Sequence, residues 1–220
     1  LSRPADGSSM WSTATENRDV ILRLGLPAGM VTTMRTTRQI VIPLIGLQIG
    51  LSSATIALIV TISAVLDFAL TYPGGQILDR LGRLAVVIPA MSLLTLGHLI
   101  IGIAPLVPGS FVLYLTAIGV MSVGGGISGG VVATLGADVA DRRNVAAFLS
   151  GWRLTTAIAP AVAPLLLAGT AAIVSIMGAS VGMAALSGVG TLMLRTLIPR
   201  YIPKPGVSTA PDAEALPDTP

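Results

Sequence analysis

The chain has 220 residues, of which 53% are hydrophobic and only 10% are charged, and its mean hydropathy is +0.86. This composition is too apolar for a water-soluble domain and indicates a polytopic membrane protein. The formal charge of +3 comes from basic residues dispersed among apolar segments, which argues against nucleic-acid binding, and the lack of cysteine excludes disulfide and thiolate chemistry.

Six apolar segments are long enough to cross a bilayer, whose hydrocarbon core of about 30 Å needs about 20 residues per helix. Hydrocarbon cannot satisfy free backbone groups, and the segments lack the alternation of a β-barrel, so we expect all six to be helices. The predicted fold class is all-α, with a six-helix transmembrane domain over about 24–200. The predicted spans are about 24–48, 53–77, 85–104, 109–137, 145–169 and 171–197.

Polar segments flank the predicted domain. Residues 1–23 have no apolar core of a signal peptide, and we expect a cytoplasmic N-terminal segment or a linker. Residues 201–220 include the Pro-rich and acidic "GVSTAPDAEALPDTP", which predicts a disordered cytoplasmic tail.

Charged and uncharged gaps between the predicted spans alternate along the chain. The gaps around Gly50, Pro105 and Thr170 carry no charge. Under the positive-inside rule this alternation predicts that both termini are cytoplasmic, and we expect the plasma (inner) membrane of a bacterium. The charged positions are Arg3, Arg18 and Arg23 before the first span, Asp79, Arg80 and Arg83 in the second gap, Asp138, Asp141, Arg142 and Arg143 in the fourth gap, and Arg200 and Lys204 in the tail.

Glycines recur at four-residue spacing in two spans, as in Gly125 to Gly129, Gly126 to Gly130 and Gly178 to Gly182. Such spacing predicts faces where helix backbones approach closely in lipid. Gly124, Gly126 and Gly129 also fit G-x-G-x-x-G, but a dinucleotide site is rejected because no strand precedes them and they lie inside a long apolar run.

The stretch "YPGGQILDRLGRL", residues 72–84, concentrates charge and glycine between the second and third spans. We expect a short cytoplasmic connection there, in which the charges stay hydrated and the glycines allow a tight turn. The pattern from Gly75 to Arg83 resembles the loop signature of the major facilitator superfamily, G-x-x-x-D-R/K-x-G-R/K-R/K. Leu84 stands where the last basic residue of that signature is usual.

The resemblance implies a secondary transporter built from two six-helix halves, of which residues 24 to 200 would form one. The polar end of the sequence leads us to expect the C-terminal half, and its first residue, Leu1, fits a partial chain. In that family the loop holds the cytoplasmic side closed and releases it as the carrier changes state. The implied gating residues are Gly75, Asp79, Arg80, Gly82 and Arg83. The alternative is that the arginines only set the topology.

Five ionisable residues fall near the middle of the predicted spans, where each costs about 2.5 to 3.5 kcal/mol on insertion scales. At a rise of 1.5 Å per residue they lie within a band of about 9 Å near mid-membrane, where carriers bind cargo. We therefore expect them to line a substrate or ion pathway. They are Arg35, Arg38, Asp67, His98 and Arg153.

Arg35 and Arg38 are three residues apart, so they share one helix face, which should line a cavity. Asp67 can neutralise one of them, and the surplus positive charge indicates an anionic cargo or an anionic group on the missing half. His98 is a candidate proton carrier. The alternatives are a structural Arg–Asp pair and a packing histidine. Of the antiporter signature G-P-x-x-G-G, the fifth span keeps only Pro160.

We expect a secondary active transporter that moves a small solute, anionic or drug-like, by alternating access. The expected partners are the lipid bilayer, the cargo, protons as a candidate coupling ion, and a second six-helix half in the same or another chain. The sequence shows no catalytic, metal-binding or cofactor-binding arrangement, so none is predicted. Two alternatives stay open, namely a membrane scaffold or regulatory partner without transport, and an intramembrane enzyme that uses His98 and Asp67.

Overall fold

The computed structural model describes residues 17–140 and 144–202, which form a helical bundle. The predictions for residues 1–16, for Asp141, Arg142 and Arg143, and for the tail after Ile202 lie outside these residues. In chain order the helices are α1 (Arg18–Gln48), α2 (Ser53–Leu81), α3 (Arg83–Ile103), α4 (Phe111–Ile127), α5 (Val131–Asp138), α6 (Val145–Ile173) and α7 (Ile176–Tyr201), with a 3₁₀ turn at Ala104–Leu106 after α3.

Five segments of the described residues are long and apolar enough to cross a membrane. They are α2, α3 with its 3₁₀ turn, α4 together with α5, α6 and α7. α1 has 31 residues, which span about 46 Å. It falls outside this set because Arg35 and Arg38, together with the threonines and Gln39 around them, lower the hydropathy of its central part. The predicted all-α membrane fold is confirmed, with five apolar spans and one charged long helix.

The fourth predicted span is interrupted and not continuous. α4 ends at Ile127, and α5 begins at Val131. The turn between them keeps its backbone paired, since the Gly129 amide donates to the Gly126 carbonyl (3.1 Å) and the Val131 amide to the Ser128 carbonyl (3.2 Å). A break inside lipid is tolerated only when freed backbone groups find such partners.

Glycines bring α2 into close contact with α4. A Cβ added to Gly74 would lie 2.5 Å from the Ile127 carbonyl oxygen, and one on Gly126 would lie 2.6 Å from the Leu70 Cβ. Neither position has space for a larger residue. The predicted spacing is therefore only partly used for packing, because Gly130 and Gly182 have no neighbouring atom within 4 Å of an added Cβ.

The helices pack unequally. The most extensive contacts join α3 to α7 and α1 to α6. α2 and α6 are the least buried of the apolar spans. Their exposed side chains include large apolar ones, such as Phe68 and Tyr72 on α2 and Leu165 on α6. The bundle thus leaves two long apolar helices with uncovered faces.

Candidate functional site

A buried ion pair joins α1 to α2 in the middle of the bundle. Arg38 Nη1 donates to Asp67 Oδ1 at 2.9 Å, and Arg38 Nη2 pairs with Asp67 Oδ2. The two side chains are 5% and 15% exposed. This two-bond arrangement is the strong, directional form of an arginine–carboxylate contact. We call it the central pair.

The central pair also reaches α4. Arg38 Nη1 donates to the Met121 carbonyl at 3.0 Å, so one guanidinium connects three helices. Gly125 lies against both partners, since an added Cβ would be 2.8 Å from Arg38 Nη1 and 3.2 Å from Asp67 Oδ2. Among the described residues, Arg38 Nε is the one buried side-chain nitrogen or oxygen atom without a hydrogen-bond partner. Glycine at position 125 therefore provides the space that the pair occupies.

Arg35 lies near the central pair without joining it. Its guanidinium is attracted by Asp67 and repelled by Arg38, and the side chain is half-buried. Within the part of the chain that the structure describes, no hydrogen bond or ion pair involves Arg35. The Arg35 nitrogens have no partner, and Arg38 Nε is the one described side-chain nitrogen or oxygen that is both buried and without a partner. The Arg35 nitrogens are therefore not buried, and the guanidinium reaches the molecular surface. Arg38 and Arg35 therefore have different environments despite their spacing.

His98 on α3 is fully buried and has a partner at each ring nitrogen. Nδ1 lies 2.8 Å from the Leu94 carbonyl, which can only accept, so Nδ1 carries a hydrogen. Nε2 lies 3.2 Å from the hydroxyl oxygen of Thr37 in α1, which also lies within hydrogen-bond distance of the Thr33 and Met34 carbonyls. The His98 carbonyl accepts from Ser180 of α7 at 2.9 Å. These contacts connect three helices through one residue.

The charged stretch between α2 and α3 is mostly helical. α2 continues to Leu81, beyond its predicted end near 77, so that Gly75, Asp79 and Arg80 lie on the helix and not in a loop. Gly82 alone makes the turn, with φ of +88°, a backbone conformation that favours glycine. Its amide donates to the Leu78 carbonyl at 3.2 Å and ends the helix.

Arg83, the first residue of α3, forms a second two-bond ion pair. Arg83 Nε donates to Asp138 Oδ2 at 2.6 Å and Nη2 donates to Oδ1 at 2.8 Å. Asp138 ends α5, and the two side chains are 22% and 21% exposed. Asp79 adds electrostatic attraction to Arg83 but makes no hydrogen bond within the described ranges. We call Arg83 and Asp138 the end pair.

Comparison with known families decides the classification of this helical bundle. The family model described as Major Facilitator Superfamily matches residues 26–219 of the chain. The chain belongs to the Major Facilitator Superfamily. Its members are membrane transporters and not enzymes, which answers the question left open by His98 and Asp67. Comparisons with curated proteins and with solved structures find no match.

In this superfamily member, the structure does not bring Arg153 to the central pair. Arg153 is exposed on α6. Thr155, two residues further along, packs beside Gly25 of α1, since an added Gly25 Cβ would lie 3.2 Å from the Thr155 Cγ2. Arg35 follows Gly25 by almost three helical turns, or about 15 Å. The band of five ionisable groups therefore divides into a cluster on α1, α2 and α3 and a separate arginine.

Several residues that connect helices in this superfamily member are not predicted from the sequence. The sequence predicts Asp138 only as a charge that sets topology, whereas the structure pairs it with Arg83. Hydroxyl pairs also cross the bundle, with Ser63 and Ser122 at 3.0 Å and Thr95 and Ser187 at 2.8 Å. Serine and threonine are common in membrane helices and give no signal of their partner.

Proposed function

We propose that the chain is one six-helix half of a secondary active transporter that moves a small solute by alternating access. Membership in the superfamily supports transport in general. The observation that carries the mechanism is the end pair, because it joins the start of α3 to the end of α5 beside the signature stretch. The assignment to the C-terminal half stays a prediction.

The end pair is suited to a gate that opens and closes. Partly exposed ion pairs contribute about 0 to 1 kcal/mol, so thermal motion breaks and re-forms them. Asp79 and Arg80 are exposed at the same turn, without a hydrogen-bond partner in the described ranges. They are available for contacts with helix ends of the second half. In this proposal the gating residues are Gly75, Asp79, Arg80, Gly82 and Arg83, together with Asp138.

The central pair and its neighbours are the proposed solute pathway. Charged groups in the middle of a membrane are costly unless they are paired or face water, and carriers bind cargo at this depth. Arg35, Arg38 and Asp67 form the charged part. His98 supports α1 beside them through Thr37. The proposed cargo is a small solute, anionic or drug-like, and protons are the candidate coupling ion.

The uncovered faces of α2 and α6 support the proposal of a second half. Phe68 is 84% exposed and Leu165 is 73% exposed, although both lie in long apolar helices. A second six-helix half, in the same chain or another, would cover such faces and complete the pathway. Both termini would be cytoplasmic, in the plasma membrane of a bacterium.

The gate can be tested by uptake into vesicles that contain the complete transporter, with a panel of labelled anionic and neutral solutes. Asp138→Asn should lower the maximal uptake rate about fivefold, because a change of about 1 kcal/mol in one state shifts an equilibrium by that factor. Cargo affinity should change less than about twofold, because the end pair does not contact the pathway. Asp79→Asn should act in the same direction.

The matched control is Asp19→Asn, which removes an exposed carboxylate near the start of α1. It should leave uptake unchanged. The exchanged variant, Arg83→Asp with Asp138→Arg, should recover part of the lost rate. A large loss of affinity with a normal rate, or no uptake of any solute by the unmodified protein, would contradict the proposal.

A further inference from the structure

One side of α1 carries a stripe of polar residues in the middle of the helix. Four polar residues follow each other at intervals of three, one and three positions, which places them on one face. They are Thr32, Arg35, Thr36 and Gln39. None of the four is buried, and Gln39 is exposed. By contrast, Thr37 and Arg38 on the adjoining face are buried against α2, α3 and α4. We call these four residues the polar stripe.

The hydrogen bonds separate the two arginines into different roles. The two terminal nitrogens of Arg38 are occupied by Asp67 and by the Met121 carbonyl, inside a space that Gly125 leaves open. The Arg38 side chain is only 5% exposed, and each of its terminal nitrogens already has a partner. Arg35 has no hydrogen-bond partner in the described residues and reaches the surface. Only Arg35 is available to a ligand.

The charge of this region is unbalanced. Arg35 and Arg38 are both within electrostatic reach of Asp67, and these two cations have one carboxylate between them. One positive charge thus remains, at a depth where an unpaired charge in lipid costs about 2.5 to 3.5 kcal/mol. The imbalance favours an anion beside Arg35 over an acyl chain.

The other members of the polar stripe can contact the rest of such a ligand. The Thr32 hydroxyl and the Gln39 amide have no hydrogen-bond partner within the described ranges, while the Thr36 hydroxyl donates to the Thr32 carbonyl at 3.1 Å. Gln39 supplies both a donor and an acceptor. A ligand with one anionic group and further polar groups would match this side of α1.

We propose that the polar stripe binds a small organic anion, such as a carboxylate or sulfonate, with Arg35 as the binding cation and Arg38 as a positioning residue. This inference rests on the proposed function, because it assigns a substrate class to the same pathway. A guanidinium binds such groups through two parallel hydrogen bonds. The central pair holds α1 against α2 and α4 while Arg35 stays free.

The test uses a single engineered cysteine, because this half contains none, and any cysteine of the second half is first replaced by serine. Gln39→Cys, one helical turn from Arg35, is introduced into the complete transporter in vesicles. Its rate of modification is measured with an anionic sulfonatoethyl and a cationic trimethylammonioethyl methanethiosulfonate. The ratio of the anionic to the cationic reaction rate should be higher at this cysteine than for a free thiol in solution. The rate of the anionic reagent should also saturate with concentration, because this reagent binds beside Arg35 before it reacts.

Adding Arg35→Gln should lower the anionic-to-cationic rate ratio about tenfold, because one unit charge acts in opposite directions on the two reagents. It should also remove the saturation. Arg35→Lys, which keeps the charge, should preserve most of the ratio and shows that the effect is not misfolding. Arg153→Gln is the matched control, an exposed arginine far from the stripe, and should leave the ratio unchanged.

Three results would overturn the inference. The first is no reaction with either reagent, which means that lipid or protein covers the stripe. The others are an anionic-to-cationic rate ratio that Arg35→Gln does not change, and an anionic rate that never saturates. These rates do not depend on transport. Failure of the uptake assay with normal labelling would therefore reject the proposed function and leave the anion-binding face in place. Normal uptake with failed labelling would reject the anion-binding face and leave the proposed function in place.

Discussion

The central pair and the end pair use the same two residue types in the same two-bond geometry, in different surroundings. Arg38 and Asp67 are 5% and 15% exposed, whereas Arg83 and Asp138 are 22% and 21% exposed. The first pair lies among three helices, and the second joins the start of one helix to the end of another. The difference lies in access to water and not in the contact itself.

That difference decides what each pair can do. When one partner of a buried pair is removed, the other stays charged without water, at a cost of about 3 to 5 kcal/mol. A partly exposed pair typically contributes about 0.2 to 1 kcal/mol, since water replaces the lost partner. The central pair should therefore persist through the transport cycle, whereas the end pair can open in it.

The largest expected effect comes from breaking the central pair. Asp67→Asn leaves Arg38 and Arg35 without a carboxylate and should lower the free energy of unfolding by about 3 to 5 kcal/mol. Arg38→Gln should cost less, about 1 to 3 kcal/mol, because Arg35 still attracts the Asp67 carboxylate. Denaturant unfolding in detergent micelles measures both.

Arg153→Gln provides the baseline for these two variants, because this arginine is exposed on α6. Its replacement should lower the free energy of unfolding by less than about 0.5 kcal/mol. If Arg38→Gln lowers the free energy of unfolding more than Asp67→Asn does, then Arg35 does not contribute to the electrostatics of the central pair.

A smaller effect should follow from crowding the central pair. Gly125→Ala places a methyl group 2.8 Å from Arg38 Nη1 and should cost about 1 to 3 kcal/mol of stability. Gly119→Ala is the matched control on the same helix, because no atom lies within 4 Å of its added Cβ. It should be neutral or stabilise by up to about 1 kcal/mol, since alanine favours helix. Equal losses in the two variants would show that Gly125 has no special relation to the pair.

The smallest effect on stability is expected at the end pair. Arg83→Gln and Asp138→Asn should each lower the free energy of unfolding by at most about 1 kcal/mol, because both side chains reach water. High salt should reduce even this difference, since ions screen exposed charges. Losses above about 2 kcal/mol in either variant would mean that the end pair is a structural contact and not a gate.

Hydropathy and charge were sufficient to predict the membrane fold. Long apolar runs predicted six spans, of which five are long and apolar enough in the described residues, and the pattern from Gly75 to Arg83 indicated the superfamily that the match confirms. The break at Ser128–Gly130 was missed, because clustered glycines in membrane helices equally indicate close packing. Which use prevails depends on hydrogen bonds such as that from Gly129 to Gly126.

The candidate site was less accessible to sequence reasoning. A spacing of three residues places Arg35 and Arg38 on neighbouring positions of one face, and only the packing of α2 and α4 makes one buried and the other open. Asp138 is 55 residues from Arg83 along the chain, and no local pattern connects them. Arg153 was placed with the cluster by depth alone, without knowledge of where α6 packs.

The most direct test is a pair of double-mutant cycles on unfolding, with Arg38→Gln and Asp67→Asn in one cycle and Arg83→Gln and Asp138→Asn in the other. We expect a coupling of about 2 to 3 kcal/mol for the central pair and less than about 1 kcal/mol for the end pair. A coupling at the end pair as large as that at the central pair would contradict the division between a permanent contact and a gate.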